Sequence, residues 1–194
     1  DFTGDKLEAI AREGAALGAE LFVLDDGWFG NRNDDRSGLG DWVPNEQKLG
    51  CSLQELGKRV QSTGMQFGLW VEPEGLSEDS KLYRAHPDWA VTIPDRAPCL
   101  GRSQLVLDLS REDVQKHLIQ TLSHLFSSAP ISYVKWDFNR NICDKFSHTL
   151  PAHRQGEFAH RYILGLYHVL EELTAHFPEI LFEGCCGGGG RFDA

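Results

Sequence analysis

Lys135 and Asp137 stand two residues apart near the end of the apolar run ISYVKWDFNRN, residues 131–141. Side chains alternate along a strand, so both would point one way while Trp136 points the other. A nearby ammonium favours an ionised carboxylate, and a fixed, ionised aspartate is a candidate nucleophile. The pair also reads as a structural ion pair at a strand end. Asp25 and Asp26 are adjacent, a costly arrangement unless something donates to both. A sugar diol can do so through charge-assisted hydrogen bonds; a loop that caps the next helix or holds a cation is the other reading. Trp28 and Trp70 lie near the same expected rim, and Trp70 shares a face with Glu72. Carboxylates beside aromatic rings suit carbohydrate, whose C–H faces stack on indoles, although a tryptophan is also an ordinary core residue.

The segment EGCCGGGGRFD, residues 183–193, places four successive glycines after an apolar run. It lacks the GxxxxGK[ST] pattern and lysine of a phosphate loop, so it reads better as backbone that approaches a ligand closely. Cys185 has no histidine nearby in sequence to serve as its base, which favours a packing or hydrogen-bonding thiol. The eight histidines show no HxH or HExxH spacing, so a metal site is not expected.

The elements that must carry these residues repeat one theme. Apolar runs at 20–28, 65–74, 103–110, 131–141 and 179–186 each end in acid, at Asp25, Glu72 and Glu74, Asp108, Asp137 and Glu183. Runs of about five apolar residues bounded by turn signals are expected of strands buried on both faces. Helical spacing fills the gaps at 3–17, 52–63, 110–126 and 156–176, with a shorter stretch at 78–86. Ser52 and Ser110 are N-cap candidates, Ser52 with Glu55 forming a capping box; Gly18 and Gly64 stand where C-caps belong. Alternating helices and strands imply parallel βα units. Acid at the end of every strand favours a (β/α)8 barrel, whose strand ends converge on one mouth, over a doubly wound sheet with a single switch point. Five of eight strands are visible, the chain opens on a helix and closes on a loop, and a whole barrel needs about 250 residues. The expected fold class is therefore α/β, an incomplete (β/α)8 TIM barrel with about five parallel strands.

Composition narrows the partners. The 194 residues are 41% hydrophobic and carry a formal net charge of −10, with acid spread along the chain. This opposes a nucleic-acid partner, which needs a basic face, and no apolar run has the length of a membrane span. Five irregularly spaced cysteines and the lack of an Asn-x-Ser/Thr sequon point to a reducing compartment, hence a cytoplasmic location, with an extracellular one left open.

The blocks LFVLDDGWFGNRNDDRSGLGDW, GLWVEPE, HPDW, VLDLS, KWDFNR and EGCCGGGGRFD, in this order, together resemble the α-galactosidases of glycoside hydrolase family 36. The resemblance covers essentially the whole chain. It implies a retaining hydrolase that releases terminal α-linked galactose from substrates such as melibiose and raffinose, without a cofactor. By position, Asp137 matches the family's nucleophile and Lys135 the lysine beside the sugar. Asp25 and Asp26 match the pair that grips the galactose 4- and 6-hydroxyls. Trp70 and Arg102 match pocket residues, and Cys185 and Gly188 match the Cys-x-x-Gly pair near the 2-hydroxyl. Cys186 stands where the family more often has Ala or Ser. The matching acid/base aspartate falls after the next strand, beyond residue 194, and the family's N-terminal β-sandwich and C-terminal β domain are not in this sequence. The expected partners are α-galactoside oligosaccharides, with a homo-oligomer open for the full-length protein. Three other readings remain: galactosyl transfer of the raffinose or stachyose synthase type, an inactive sugar-binding fragment, and an enolase-type barrel using Mg²⁺ on Glu72, Asp108 and Asp137.

Overall fold

In the computed structural model, which describes residues 2–187, helices and parallel strands alternate. Helix α1 spans Gly4–Ala16 and begins where the Thr3 hydroxyl oxygen accepts the Lys6 N–H. It leads into strand β1, Leu21–Leu24. A short helix α2, Glu46–Leu49, precedes α3, Leu53–Gln61. As expected, the Ser52 hydroxyl caps α3 by accepting the Glu55 N–H at 3.1 Å. Gly18 and Gly64 follow α1 and α3 with φ of 89° and 93°, the left-handed backbone a helix end needs.

Strand β2, Gln66–Val71, is buried along nearly its whole length. After it come the two-residue strand β3, Gly75–Leu76, helix α4, Lys81–Ala85, a 3₁₀ turn at Pro87–Trp89, and strand β4, Leu105–Val106. Helix α5, Glu112–Ser127, then leads to strand β5, Tyr133–Trp136. A 3₁₀ segment, Ala152–Glu157, runs into helix α6, Phe158–His176, which precedes strand β6, Leu181–Gly184. Ser110 does not cap α5: Arg111 occupies that position, and Ser110 turns back to donate to Asp108.

The main sheet is parallel with order β1-β2-β5-β6. Each strand lies beside the next strand of the sheet along the chain, so all the carboxyl ends emerge on one edge. Register puts Trp70 opposite Lys135 and Lys135 opposite Glu183. Helices α5 and α6 pack against each other. Gly165 lets α6 approach the segment that leads into α5, since a Cβ there would meet the Leu109 carbonyl at 1.8 Å.

The sequence expectation of five parallel strands needs one correction. The apolar run at 103–110 does not join the main sheet; β4 pairs antiparallel with β3, Leu105 opposite Leu76. Its neighbours bond to the same patch, Leu107 N–H to the Glu74 carbonyl and Asp108 N–H to the Trp89 carbonyl. A parallel partner is usually reached by a crossover built on an α-helix. Here α4 has only five residues, and the connection continues through Pro87, Pro94 and Pro98. The chain therefore returns across the strand ends, and β2 pairs directly with β5.

Candidate active site

The site grows from the alternation of β5. Lys135 and Asp137 face one side; Trp136 faces the other and donates its indole N–H to Glu74. Asp137 lies just past the strand, its backbone N–H bonded to the Val71 carbonyl at 2.8 Å, and only 6% of it is exposed. Its Oδ2 accepts the Trp70 indole N–H at 3.1 Å and an N–H of the Asn139 amide, while Oδ1 accepts the Phe138 N–H at 2.9 Å. Three donors thus fix an acceptor-only group at the edge where the strands end.

Lys135 reaches past Asp137 to Asp25, with Nζ 3.2 Å from Oδ2. The expected Lys135–Asp137 pair is therefore a Lys135–Asp25 pair. β2 lies between β1 and β5 in the sheet, and a long lysine spans its width more readily than it folds back two residues. Burial alone would lower the Lys135 ammonium. The hydrogen bond and charge of Asp25, together with Cys185 and Asp137 nearby, hold it above its ordinary value.

The two adjacent aspartates have separate partners. Asp25 accepts the Asp26 N–H at 2.8 Å, and its side chain is 63% exposed. Asp26 is clamped by Arg32, whose Nε and Nη2 reach its two oxygens at 2.8–3.2 Å. Arg32 is itself 2% exposed, and its third contact is the Ser37 carbonyl at 3.0 Å. Sequence reasoning missed Arg32, although the spacing Asp-x5-Arg within the DDGWFGNR block was available as a signal. Lys48 braces the same loop by donating to the carbonyls of Gly27 and Arg32, each at 2.8 Å.

Beneath Asp137 lies a second carboxylate. Glu72 is buried; its Oε1 accepts the Asn139 backbone N–H at 2.6 Å and its Oε2 the Gln104 amide at 3.2 Å. Burial pushes Glu72 above the ordinary carboxylate range against the pull of the Asn139 N–H, and the charge of Asp137 adds to the rise. Asn139 thus binds both acids, one through its backbone and one through its side chain. It too was missed; its place two residues after Asp137 in KWDFNR was the only signal.

The other expected site residues divide. Trp70 is at the centre, as described. Trp28 is not on the rim: it is fully buried and donates to the Trp70 carbonyl at 3.0 Å, inside a cluster with Phe29 and Trp42. Cys185 follows β6 beside Asp137, its backbone N–H on the Trp136 carbonyl and its carbonyl accepting the Phe138 N–H. Arg102 is exposed on a loop with φ of 51°. Among the described residues no hydrogen bond or ion pair joins it to the Asp137 cluster. Asp108 is buried and bonded to Ser110 on the β3–β4 patch; no group of three or more metal-binding side chains, Glu72, Asp108 and Asp137 included, occurs among the described residues. Gly188 lies outside the described residues.

Carboxylates held by indole and amide donors gather at the carboxyl ends of the parallel strands of this α/β fold, the edge where such folds usually bind their ligands. A family model described as Melibiase matches residues 1–194, and the chain belongs to the melibiase family. It is 58% identical over 193 residues to alpha-galactosidase AgaA of Geobacillus stearothermophilus, an overlap of 100% of this chain and 26% of that protein. The crystal structure of that GH36 enzyme matches with a TM-score of 0.97 at 58% identity, over 100% of this chain and 27% of that one. A variant of the same enzyme, solved in complex with raffinose, matches with the same TM-score, identity and coverage. The chain spans about a quarter of the length of these relatives.

Proposed function

We propose that this chain is part of the catalytic barrel domain of a retaining α-galactosidase acting on raffinose- and stachyose-type oligosaccharides, with Asp137 as nucleophile. The observation that carries this reading is the buried Asp137 carboxylate, held by Trp70, Phe138 and Asn139 within reach of the Lys135 charge. The raffinose and stachyose complexes of the closely similar enzymes support the substrate class. Four parallel strands in sequential order, with Asp25, Trp70, Lys135, Asp137 and Cys185 at one edge, support consecutive staves of a (β/α)8 barrel.

In this reading Asp137 attacks the anomeric carbon of a terminal α-galactoside. The bond to the leaving oxygen breaks, and that oxygen takes a proton from a second carboxyl group. A β-galactosyl ester on Asp137 results. Water, deprotonated by the same second group, then displaces Asp137, and the two inversions give net retention. In retaining enzymes the two carboxyl groups stand about 5–5.5 Å apart; the second is expected beyond residue 194. Asp137 needs no rotation to act, because its oxygens are already fixed. Asp25, exposed and salt-bridged, and Asp26, set by Arg32, accept hydroxyl hydrogens of the sugar. An arginine-clamped carboxylate keeps free lone pairs in a fixed direction, and discriminating an axial from an equatorial hydroxyl requires such direction.

The test is to trap the intermediate. The full-length enzyme is treated with 2-deoxy-2-fluoro-α-galactosyl fluoride, digested and mapped. The expected label is an ester on the peptide carrying Asp137, and NMR of raffinose hydrolysis should show α-galactose as the first-formed anomer. A label on Glu72 or another acid, or first-formed β-galactose, overturns the reading.

A further inference from the structure

Two of the five cysteines meet where the loop before β4 crosses the loop after β5. Cys99 follows Pro98, and Cys143 lies between Arg140 and Asp144. The second loop grips the backbone of Cys99 from both ends. The buried Asp144 carboxylate accepts the Cys99 N–H at 2.9 Å, and the Arg140 guanidinium donates to the Cys99 carbonyl. Cys143 stands next to Asp144 and three residues after Arg140, so the two grips bring it close to Cys99, which holds its thiol above the ordinary value. Cys143 is exposed and Cys99 half-buried, so one sulfur is open to solvent and the other waits behind it.

The remaining cysteines are placed differently. Cys51 is buried beneath α1, its thiol turned to the Leu49 carbonyl. Cys185 and Cys186 are sequence neighbours, with Cα atoms about 3.8 Å apart across a trans peptide, short of the ~4.4–6.8 Å of ordinary disulfides. Cys99 and Cys143 come from separate loops whose backbones are already pinned to each other.

We propose that Cys99 and Cys143 form a reversible disulfide, made by exchange with a low-molecular-weight disulfide, that staples these two loops beside Asp137. The exposed Cys143 thiolate attacks one sulfur of the small disulfide. Its S–S bond breaks, and the departing thiolate takes up the proton Cys143 gave to solvent. The Cys99 thiolate then attacks the Cys143 sulfur of the mixed disulfide and expels the second small thiolate, which is protonated in turn. Two protein thiols are oxidised and one small disulfide is reduced to two thiols. Because the thiolate is the attacking species, the exchange speeds up as pH rises. The stapled segment includes Asn139 and Arg140, so the bond stiffens the loop that presents Asn139 to Asp137.

The experiment uses the full-length protein, reduced and then freed of reductant. It is exposed to oxidised glutathione at mildly alkaline pH, alkylated, digested without reductant and mapped by mass spectrometry. The expected product is a peptide pair joining positions 99 and 143, two hydrogens lighter than the separate peptides and released by dithiothreitol. The oxidised protein should also resist proteolysis within 94–104 and 138–147 better than the reduced protein. Cys143→Ser, a change at an exposed position, should fold normally and lose both the cross-link and the redox difference in proteolysis. Glutathione that stops as an adduct on Cys143, a bond between Cys185 and Cys186 in place of the 99–143 link, or cross-links between protein molecules would overturn the proposal.

Discussion

Asp137 and Glu74 are two buried carboxylates that each accept an indole N–H from a strand tryptophan. Trp70 on β2 donates to Asp137 at 3.1 Å, and Trp136 on β5 donates to Glu74 at 3.0 Å. The chemistry of the two contacts is nearly the same; their surroundings differ. Glu74 has no exposure and also accepts the Tyr162 hydroxyl of α6 at 2.6 Å, so it ties the sheet edge to the helix layer. Asp137 sits on the opposite face of β5, next to Lys135 and, through it, the exposed Asp25. Alternation along β5 turns Trp136 toward Glu74 and helix α6, and turns Lys135 and Asp137 toward the edge where the loops gather. Burial and a hydrogen-bonded indole therefore do not distinguish the two acids; the face on which each lies does, and the proposed catalytic role of Asp137 rests on that face.

The strongest test of this contrast is Asp137→Asn in the full-length enzyme. Asparagine keeps the shape and can still accept from Trp70 and Asn139 through one oxygen. The expected loss in kcat is on the order of 10⁴-fold or more for every α-galactoside, with a stability cost of about 1 kcal/mol for the one lost acceptor. Normal turnover with a large drop in thermal midpoint would make Asp137 a structural acid like Glu74.

Glu74→Leu should give the opposite profile. It removes the acceptor of the buried Trp136 N–H and of the Tyr162 hydroxyl, at about 1–3 kcal/mol for a buried donor left unpaired. Urea denaturation should show the loss in the midpoint, while kcat measured well below the unfolding temperature stays near wild type. A kcat collapse without destabilisation would erase the distinction between the two faces.

A third comparison separates the adjacent aspartates. Asp25→Ala removes an exposed acid whose ion pair contributes at most about 1 kcal/mol to stability, yet kcat/KM for raffinose should fall on the order of 10²-fold. Asp26→Ala should in addition destabilise the protein, because it leaves the guanidinium of the buried Arg32 without its carboxylate. Equal stability losses in both variants would show that the clamp on Asp26 does not matter.

The smallest expected effect is on pH dependence. Glu72 titrates above its ordinary range in the folded state because it is buried, so the folded protein binds its proton more tightly than the unfolded chain does. Its stabilising contribution is full below the unfolded value and is lost as pH rises through the folded one. Glu72→Gln should therefore flatten the decline of stability with rising pH in that window, measured as denaturation midpoints across a pH series. The new amide can donate to the Gln104 side-chain oxygen, which is buried without a partner among the described residues. An unchanged slope would remove Glu72 from the titrating set.

Much of this was legible from pattern alone. The helix at 3–17, the Ser52 capping signal and the glycines after α1 and α3 follow from local backbone preferences, which act within a few residues; of the α1 face that the spacing groups at Leu7, Ile10, Ala11 and Leu17, only Leu7 and Ala11 are buried. The two-residue alternation predicted that Lys135 and Asp137 share a face and that Trp136 opposes them. The apolar run around Leu105 misled because a buried antiparallel patch and a buried parallel strand have the same composition. The long helix that usually carries a parallel crossover is missing from that connection, where α4 has five residues.

The sequence by itself determined which residues could do chemistry and that the acids end apolar runs, because side-chain type, strand period and turn signals are local properties. Tertiary structure alone decided which charge meets which. Lys135 pairs with Asp25 rather than Asp137, Asp26 takes a buried Arg32, and Trp28 goes into the core while Trp70 faces the acid. Those outcomes depend on strand order, on register and on which loop closes over the edge. Coulombic and hydrogen-bond energies are decided at 3 Å in space, whatever the separation along the chain.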